Sequence, residues 1–122
     1  MPFDWTEFLA LARDLGRRSG PSYSPEAASR TSVSRAYYAA FCYARNYAEN
    51  KFGFQRTRTG RDHSLLRNHL RNLSEPWPEI AEYLEDLQKW RGQCDYGDEI
   101  HNLDALVLNA METAEEVIQK CR

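Results

Sequence analysis

Cysteine is scarce in this chain of 122 residues, and its three copies are scattered without a CxxC pair. An odd, dispersed set argues against a disulfide framework and a zinc site and favours a reducing compartment, so we expect a cytoplasmic location. No apolar run approaches the roughly 20 residues of a membrane-spanning helix. The segment 1–15 carries Asp4 and Glu7 and lacks the basic start of a secretory signal. We therefore expect no association with a membrane.

Glycine-rich phosphate-binding motifs are also missing. The chain has neither a Walker loop nor a GxGxxG segment, which excludes the standard nucleotide-hydrolysing and dinucleotide-binding folds as far as motifs can. Acids do cluster after Cys94, around His101, but their spacing does not bring them to one point. We interpret this cluster as a solvated acidic turn and predict neither a metal site nor a cofactor.

The composition, with 42% apolar and 28% charged residues, is that of a globular protein, and its length fits one domain over residues 1–122. The charges are unevenly placed. Seven bases and two acids lie between positions 45 and 71, whereas nine acids and two bases lie between 74 and 104. Such asymmetry is typical of an anion-binding face or of self-association between opposite patches.

Apolar residues recur at three- and four-residue steps, and no segment alternates as a strand does. A first helix is predicted to begin at Asp4, with Glu7 completing a capping box, and to end at Gly16. A second is predicted from an N-cap at Ser24 to a stop at Gly53. Because its middle is apolar on every side, this helix is expected to be the central one.

Three further helices are predicted. Asp62 is expected to cap the third, which is short. The fourth should begin near residues 76–78 and end at Gly97, and Asn102 is expected to cap the fifth. Helices of this length joined by short loops favour an antiparallel bundle, so the predicted class is all-α.

Arg91 does not fit the apolar pattern of the fourth helix. It follows Leu87 by four residues and Leu84 by seven, which places it on the apolar stripe. An arginine there must extend to solvent, pair with an acid, or line a polar cleft. In a cleft its guanidinium could bind a phosphate or a transition-state oxyanion. The pattern leaves these alternatives open.

The loop before the third helix combines bases, hydroxyls, glycines and two aromatics. Its Arg56, Arg58 and Arg61 suit phosphate contacts with single-stranded RNA, although a solvated loop that balances nearby acids is an equal alternative. His63 falls at the predicted start of the third helix. A helix N-terminus disfavours a charged imidazole, so His63 is expected to be neutral and able to act as a base, unless it has no role.

Three segments resemble one known family. Residues 32–41 (SVSRAYYAAF) resemble the SRAYYAAF signature of HEPN (higher eukaryotes and prokaryotes nucleotide-binding) domains. Residues 4–15 resemble the DWxxFLxLAxxL opening of many members, and residues 91–96 (RGQCDY) resemble their RxxADY segment. The resemblance implies an up-and-down four-helix bundle with an additional short helix, often as a homodimer.

The resemblance also implies candidate site residues. Many HEPN proteins are metal-independent ribonucleases or toxins that use an arginine and, four to six residues later, a histidine. Arg91 matches the arginine, but Tyr96 stands at the histidine's position and His101 comes only after nine intervening residues. A tyrosine with a pKa of about 10 is a poor general base at neutral pH. Other members pair with a nucleotidyltransferase, and in some pairs a nearby tyrosine is modified; Tyr96 is the candidate here.

The first functional hypothesis is therefore a HEPN protein that binds nucleotide or RNA through Arg91 and the loop arginines. It would work in a toxin–antitoxin or defence pair with a nucleotidyltransferase-like partner. A second is an active metal-independent ribonuclease that combines Arg91 with His63, His101 or Tyr96. A third is a protein-interaction bundle without a ligand. Whether the chain is an enzyme stays open on the sequence.

Overall fold

The computed structural model describes residues 2–17 and 22–122, and within these ranges every regular element is a helix. The predicted all-α class is therefore confirmed. The five helices are α1 (Thr6–Leu15), α2 (Pro25–Phe52), α3 (Asp62–Arg71), α4 (Trp77–Tyr96) and α5 (Leu103–Lys120). None of the helices in the described ranges is both long and apolar enough to cross a membrane.

Helix α2 is the centre of the molecule, as its apolar middle predicts. At about 1.5 Å per residue its 28 residues extend for about 42 Å, and it contacts all four other helices. Ser24 Oγ accepts the Ala27 N–H at 3.1 Å at one end. Gly53, with a φ of 70°, ends the helix in the left-handed conformation that glycine adopts without strain. Both predicted ends are confirmed.

Helices α1, α2, α4 and α5 form a four-helix bundle, and the shorter α3 packs mainly against α4. The predicted bundle with one additional short helix is thus confirmed. Six of the seven alanines of α2 are buried, all except Ala27, which lets the neighbouring helices approach closely. Larger side chains from the other helices complete one contiguous core. All three cysteines are buried free thiols, as expected of small core residues.

The start of α1 differs in detail from its prediction. The Asp4 carboxylate accepts the Thr6 N–H at 3.0 Å and the Thr6 hydroxyl at 2.6 Å, so the acid does hold the first turn. The reciprocal bond from Glu7 is not among the hydrogen bonds of the described residues. Half of the predicted capping box is therefore present.

The prediction that Asp62 caps α3 is wrong. Asn102 does occupy the predicted position before α5, but it does not cap the helix with its side chain. Asp62 is the first residue of α3, and its carboxylate accepts the N–H groups of Thr57 at 2.7 Å and Arg58 at 2.9 Å. It therefore holds the preceding loop. Asn102 directly precedes α5 in a left-handed conformation, but its side chain makes no capping hydrogen bond.

Part of the charge asymmetry is matched inside the molecule. Arg71 on α3 bonds Glu82 at 3.3 Å and Glu85 at 3.0 Å on α4, and Arg67 lies 4.0 Å from Glu85. The contact between α3 and α4 thus brings the basic segment against the acidic one. Arg71 is matched by these two acids, whereas Arg67 reaches Glu85 only at the outer limit of an ion pair.

Candidate anion-binding site

Arg91 lies where α4 packs against α2. Its side chain is only 18% exposed, and its guanidinium carbon lies 5.6 Å from the centre of the Tyr38 ring and 5.8 Å from that of Tyr37. Nη1 donates to Asp95 at 3.1 Å on the same helix. Nε is buried and has no hydrogen-bond partner among the described residues. The arginine is therefore partly paired and still has unused donors.

Arg67 of α3 is a second arginine near Tyr37 and His63. The sequence pattern did not single it out. Its side chain is 15% exposed, and Nη1 donates to Oε1 of Gln88. Its Nε, like that of Arg91, is buried without a hydrogen-bond partner in the described part of the chain. One signal could have identified Arg67: it follows His63 by four residues, so the two share a face of α3.

Tyr37 and His63 form the buried contact between these arginines. The Tyr37 side chain is 1% exposed, and its hydroxyl is hydrogen bonded to His63 Nδ1. Burial raises the pKa of Tyr37 well above its ordinary value, so the phenol keeps its proton. No other acceptor for that proton occurs among the described residues, and a buried hydroxyl rarely goes unpaired. Tyr37 therefore donates to Nδ1.

The tautomer of His63 follows from this hydrogen bond. When Nδ1 accepts a proton, a neutral imidazole carries its own hydrogen on Nε2. Burial, and then the charges of Arg91 and Arg67, lower the pKa of His63 below its ordinary value. The histidine is thus neutral, mainly through burial and not through the helix end that the sequence suggested. Nε2 is not buried and has no partner in the described ranges, so it offers a free N–H donor.

Two further arginines extend the basic surface along α2. The guanidinium carbon of Arg35 lies 5.0 Å from the Phe8 ring centre and 5.1 Å from that of Tyr38. That of Arg45 lies 5.8 Å from both Trp5 and Phe41. Stacking on rings holds a guanidinium without neutralising its charge. We call the surface formed by Arg35, Arg45, His63, Arg67 and Arg91 the arginine face.

The other predicted catalytic residues lie at the edge of this face or away from it. Tyr96 is the last residue of α4 and is 79% exposed. Burial lowers the pKa of Arg91, but Tyr38, Asp95 and the Tyr96 side chain raise it more, so the guanidinium stays charged. His101 is exposed between α4 and α5 and lines a separate cavity of about 300 Å³.

The loop arginines differ from one another. Arg56 donates twice to the Glu49 carboxylate, at 2.6 Å each, so its charge is matched. Arg58 and Arg61 are exposed, and their side chains make no ion pair within the described ranges. In the described part of the chain, no hydrogen bond or ion pair connects either of them with Arg91. Arg58 and Arg61 therefore stay available to an external anion. No contact among the described residues joins them to the Tyr37–His63 pair.

Among the described residues, no group of three or more His, Cys, Asp or Glu side chains has the arrangement that could hold a metal ion. What the arginine face does offer is a set of guanidinium groups and one neutral imidazole N–H. Charge-assisted donors of this kind suit the oxygen atoms of a phosphate group.

Comparison with protein families gives one match. A family model described as "HEPN domain" matches residues 24–122, a range that includes α2 to α5 and every residue of the arginine face. Neither the curated proteins nor the solved structures gave a match to the chain.

Proposed function

Because the chain belongs to the HEPN family, we propose that its arginine face binds a phosphate group of a nucleotide or of RNA. The observation that carries the proposal is the convergence of Arg67 and Arg91 on the Tyr37–His63 pair. The carboxylate of Asp95 hydrogen bonds Arg91, whereas Arg67 bonds the amide oxygen of Gln88 and has Glu85 at 4.0 Å, a carboxylate that Arg71 also binds. A planar guanidinium can bond two phosphate oxygens at once. The buried Nε atoms of both arginines have no hydrogen-bond partner among the described residues, so an incoming phosphate would add acceptors that this cluster lacks.

His63 supports binding more than cleavage. Its free Nε2–H can donate to a phosphate oxygen, as the arginines do. Metal-independent cleavage of RNA needs an accessible group that takes the proton of the attacking hydroxyl. The nitrogen that could do so, Nδ1, is occupied by the Tyr37 hydroxyl. We therefore place binding first.

A ribonuclease is the second candidate function. The observation in its favour is that a histidine does lie beside Arg91, although it comes from α3 and not from the family's usual spacing. This reading requires the Tyr37–His63 hydrogen bond to break during the reaction, so that a basic nitrogen becomes available. It also predicts that Arg91 is essential to cleavage.

The proposal includes a partner. Family members suggest a toxin–antitoxin or defence pair with a nucleotidyltransferase-like protein, and a homodimer of twice the 14.2 kDa chain mass. Tyr96 supports this, because its exposed side chain at the end of α4 is accessible to a modifying enzyme. Sedimentation equilibrium tests the dimer. Incubation with the purified partner and a nucleoside triphosphate, followed by mass spectrometry of Tyr96 peptides, tests the modification.

The main experiment measures binding and cleavage together. A fluorescent single-stranded RNA is titrated with protein at several salt concentrations, with chelator present, and is then run on a gel. We expect Arg67→Ala and Arg91→Ala each to weaken binding about tenfold and to reduce the salt slope by about one. Lys89→Ala, which removes an exposed cation of α4, is the matched control and should bind as the wild type does.

The outcomes separate the three hypotheses. Cleavage by the wild type that is lost in Arg91→Ala would establish the ribonuclease instead. Equal affinity of Arg91→Ala and wild type would refute a phosphate site at the arginine face. Salt-sensitive self-association that ignores Arg91 and occurs without RNA binding would favour a protein-interaction bundle.

A further inference from the structure

A second cavity, of about 260 Å³, lies between the N-terminal segment and α2 and shares no residue with the arginine face. Four aromatic rings line it, those of Phe3, Trp5, Tyr43 and Tyr47, together with the carboxamides of Asn46 and Asn50. Its volume is below the roughly 300–1,000 Å³ of sites for drug-sized ligands. The cavity therefore suits a molecule of one or two rings.

The residues of α2 that line the cavity lie on one face of the helix. Positions 43, 46, 47 and 50 are spaced by three and four residues, so they form one face of the helix. Tyr43, Asn46 and Tyr47 are partly buried and Asn50 is exposed, so this face borders the solvent. Here two tyrosines alternate with two asparagines, and the segment 2–5 forms the opposite wall. The face thus presents rings and carboxamides to the same space.

Unused hydrogen-bonding groups are concentrated in this cavity. The hydroxyls of Tyr43 and Tyr47 and the carboxamide of Asn50 make no hydrogen bond to any described residue. The Asn46 Oδ1 accepts from Arg45 at 3.1 Å and from Arg56 at 2.9 Å, which leaves its two N–H donors free. The cavity therefore offers uncharged donors and acceptors beside aromatic rings.

The charge of the lining restricts the ligand further. Asp4 supplies the one charged side chain among the lining residues, and its carboxylate would repel a phosphate. The remaining wall includes the buried thiol of Cys121, whose pKa burial raises to about 12, so it stays neutral. The neighbouring Arg45 and Arg56 both donate to Asn46 Oδ1, so the lining itself offers mainly uncharged groups to a ligand.

We propose that this cavity binds an uncharged planar nitrogen heterocycle, of the type of a purine or pyrimidine base or its nucleoside. The rings of Trp5, Tyr43 and Tyr47 would provide stacking surfaces, which accept any base because every base has a π face. The carboxamides of Asn46 and Asn50 would bond the edge of the heterocycle, where a donor and an acceptor stand side by side. The cavity adjoins the arginine face at Arg45, whose guanidinium carbon lies 5.8 Å from the Trp5 ring centre, but none of its lining residues belongs to that face.

The test is a protein-observed NMR titration with adenosine, uridine and AMP. The indole N–H of Trp5 and the side-chain amide of Asn50 are the reporters. We expect both signals to shift with a nucleoside. We expect AMP to bind no more tightly than adenosine, because Asp4 is the one charged lining residue and Arg45 and Arg56 are already bonded to Asn46. Inorganic phosphate in excess should not displace adenosine, since phosphate would occupy the arginine face.

Variants make the test specific. Asn50 is exposed, so Asn50→Ala should fold normally, which thermal unfolding checks, and should bind adenosine about tenfold more weakly. Asn109→Ala removes an exposed asparagine of α5 and should bind as the wild type does. The proposal is overturned if neither nucleoside shifts the reporters at millimolar concentration, if Asn50→Ala binds adenosine as tightly as the wild type does, or if AMP binds more tightly than adenosine.

Discussion

Replacing Tyr37 by phenylalanine removes one hydroxyl from the centre of the arginine face and keeps the ring beside Arg91. The hydroxyl is the donor that sets the tautomer of His63, so this variant tests the reasoning that separates binding from cleavage. Tyr38→Phe is the matched control. The Tyr38 ring also lies beside Arg91, but its hydroxyl makes no hydrogen bond to the described residues.

The expected loss of stability follows from the burial of the bond. An intramolecular hydrogen bond contributes about 0.5–1.5 kcal/mol net, and an acceptor left unpaired adds to the cost. Because Tyr37 is almost completely buried, water cannot easily replace its hydroxyl, so Tyr37→Phe should lower the free energy of unfolding by about 1.5 kcal/mol. For a chain of this length that lowers Tm by about 5 °C. Tyr38→Phe should change Tm little.

The decisive assay is ¹⁵N NMR of the His63 ring. In the wild type at pH 7.5 we expect the hydrogen on Nε2, and in Tyr37→Phe a smaller population of that tautomer and weaker phosphate binding. A wild-type His63 with its hydrogen on Nδ1 would refute the reasoning, because Tyr37 would then accept and Nε2 would be a base. That result would move the ribonuclease to first place.

Three further predictions concern pH, the end of α4 and the loop before α3. Burial, and then Arg91 and Arg67, lower the pKa of His63, so on acidification the unfolded state takes up the proton before the folded state does. The free energy of unfolding should therefore be at its full value above about pH 6.5 and decrease below it. Denaturant unfolding of His63→Asn should not show this decrease. Arg30 donates to the carbonyl oxygens of Cys94 at 3.2 Å and Gly97 at 2.5 Å. Arg30→Ala should lower the free energy of unfolding by about 2 kcal/mol and speed amide hydrogen exchange at the end of α4. Unchanged exchange there would contradict this role of Arg30. Burial raises the pKa of Asp62, but the hydrogen bonds from Thr57 and Arg58 lower it more, so the carboxylate is charged and holds these two amides. Asp62→Asn should therefore speed hydrogen exchange of the amides of Thr57 and Arg58. An unchanged rate would mean that the carboxylate does not hold the loop.

The arginine face and the cavity between residues 2–5 and α2 suit different parts of a nucleotide. Guanidinium groups and one neutral imidazole N–H suit phosphate oxygens, whereas rings and carboxamides with a single carboxylate suit an uncharged base. The two proposals fail separately. Loss of RNA binding in Arg91→Ala concerns only the first, and loss of adenosine binding in Asn50→Ala concerns only the second.

The sequence by itself determined the helices and the bundle, because these depend on local patterns. Ser24, Gly53 and Gly97 mark helix ends through backbone preferences that act within a few residues. The apolar stripes specify which faces are buried, and the alanine-rich middle of α2 indicates a helix with neighbours on every side. Arg91 could be singled out for the same reason, since a charge on an apolar stripe needs a partner.

Only the tertiary structure decided which side chains meet. Arg67 looked like one base among seven, and Tyr37 like a core tyrosine, until α2, α3 and α4 brought them together around His63. The fold of the loop before α3 likewise pairs Arg56 with Glu49, seven residues away, and turns Asp62 towards Thr57, five residues away, which helical spacing does not predict. The physical reason is that the pKa and the hydrogen-bond partners of a side chain depend on burial and on charges from distant segments. Those terms exist only after the helices have packed.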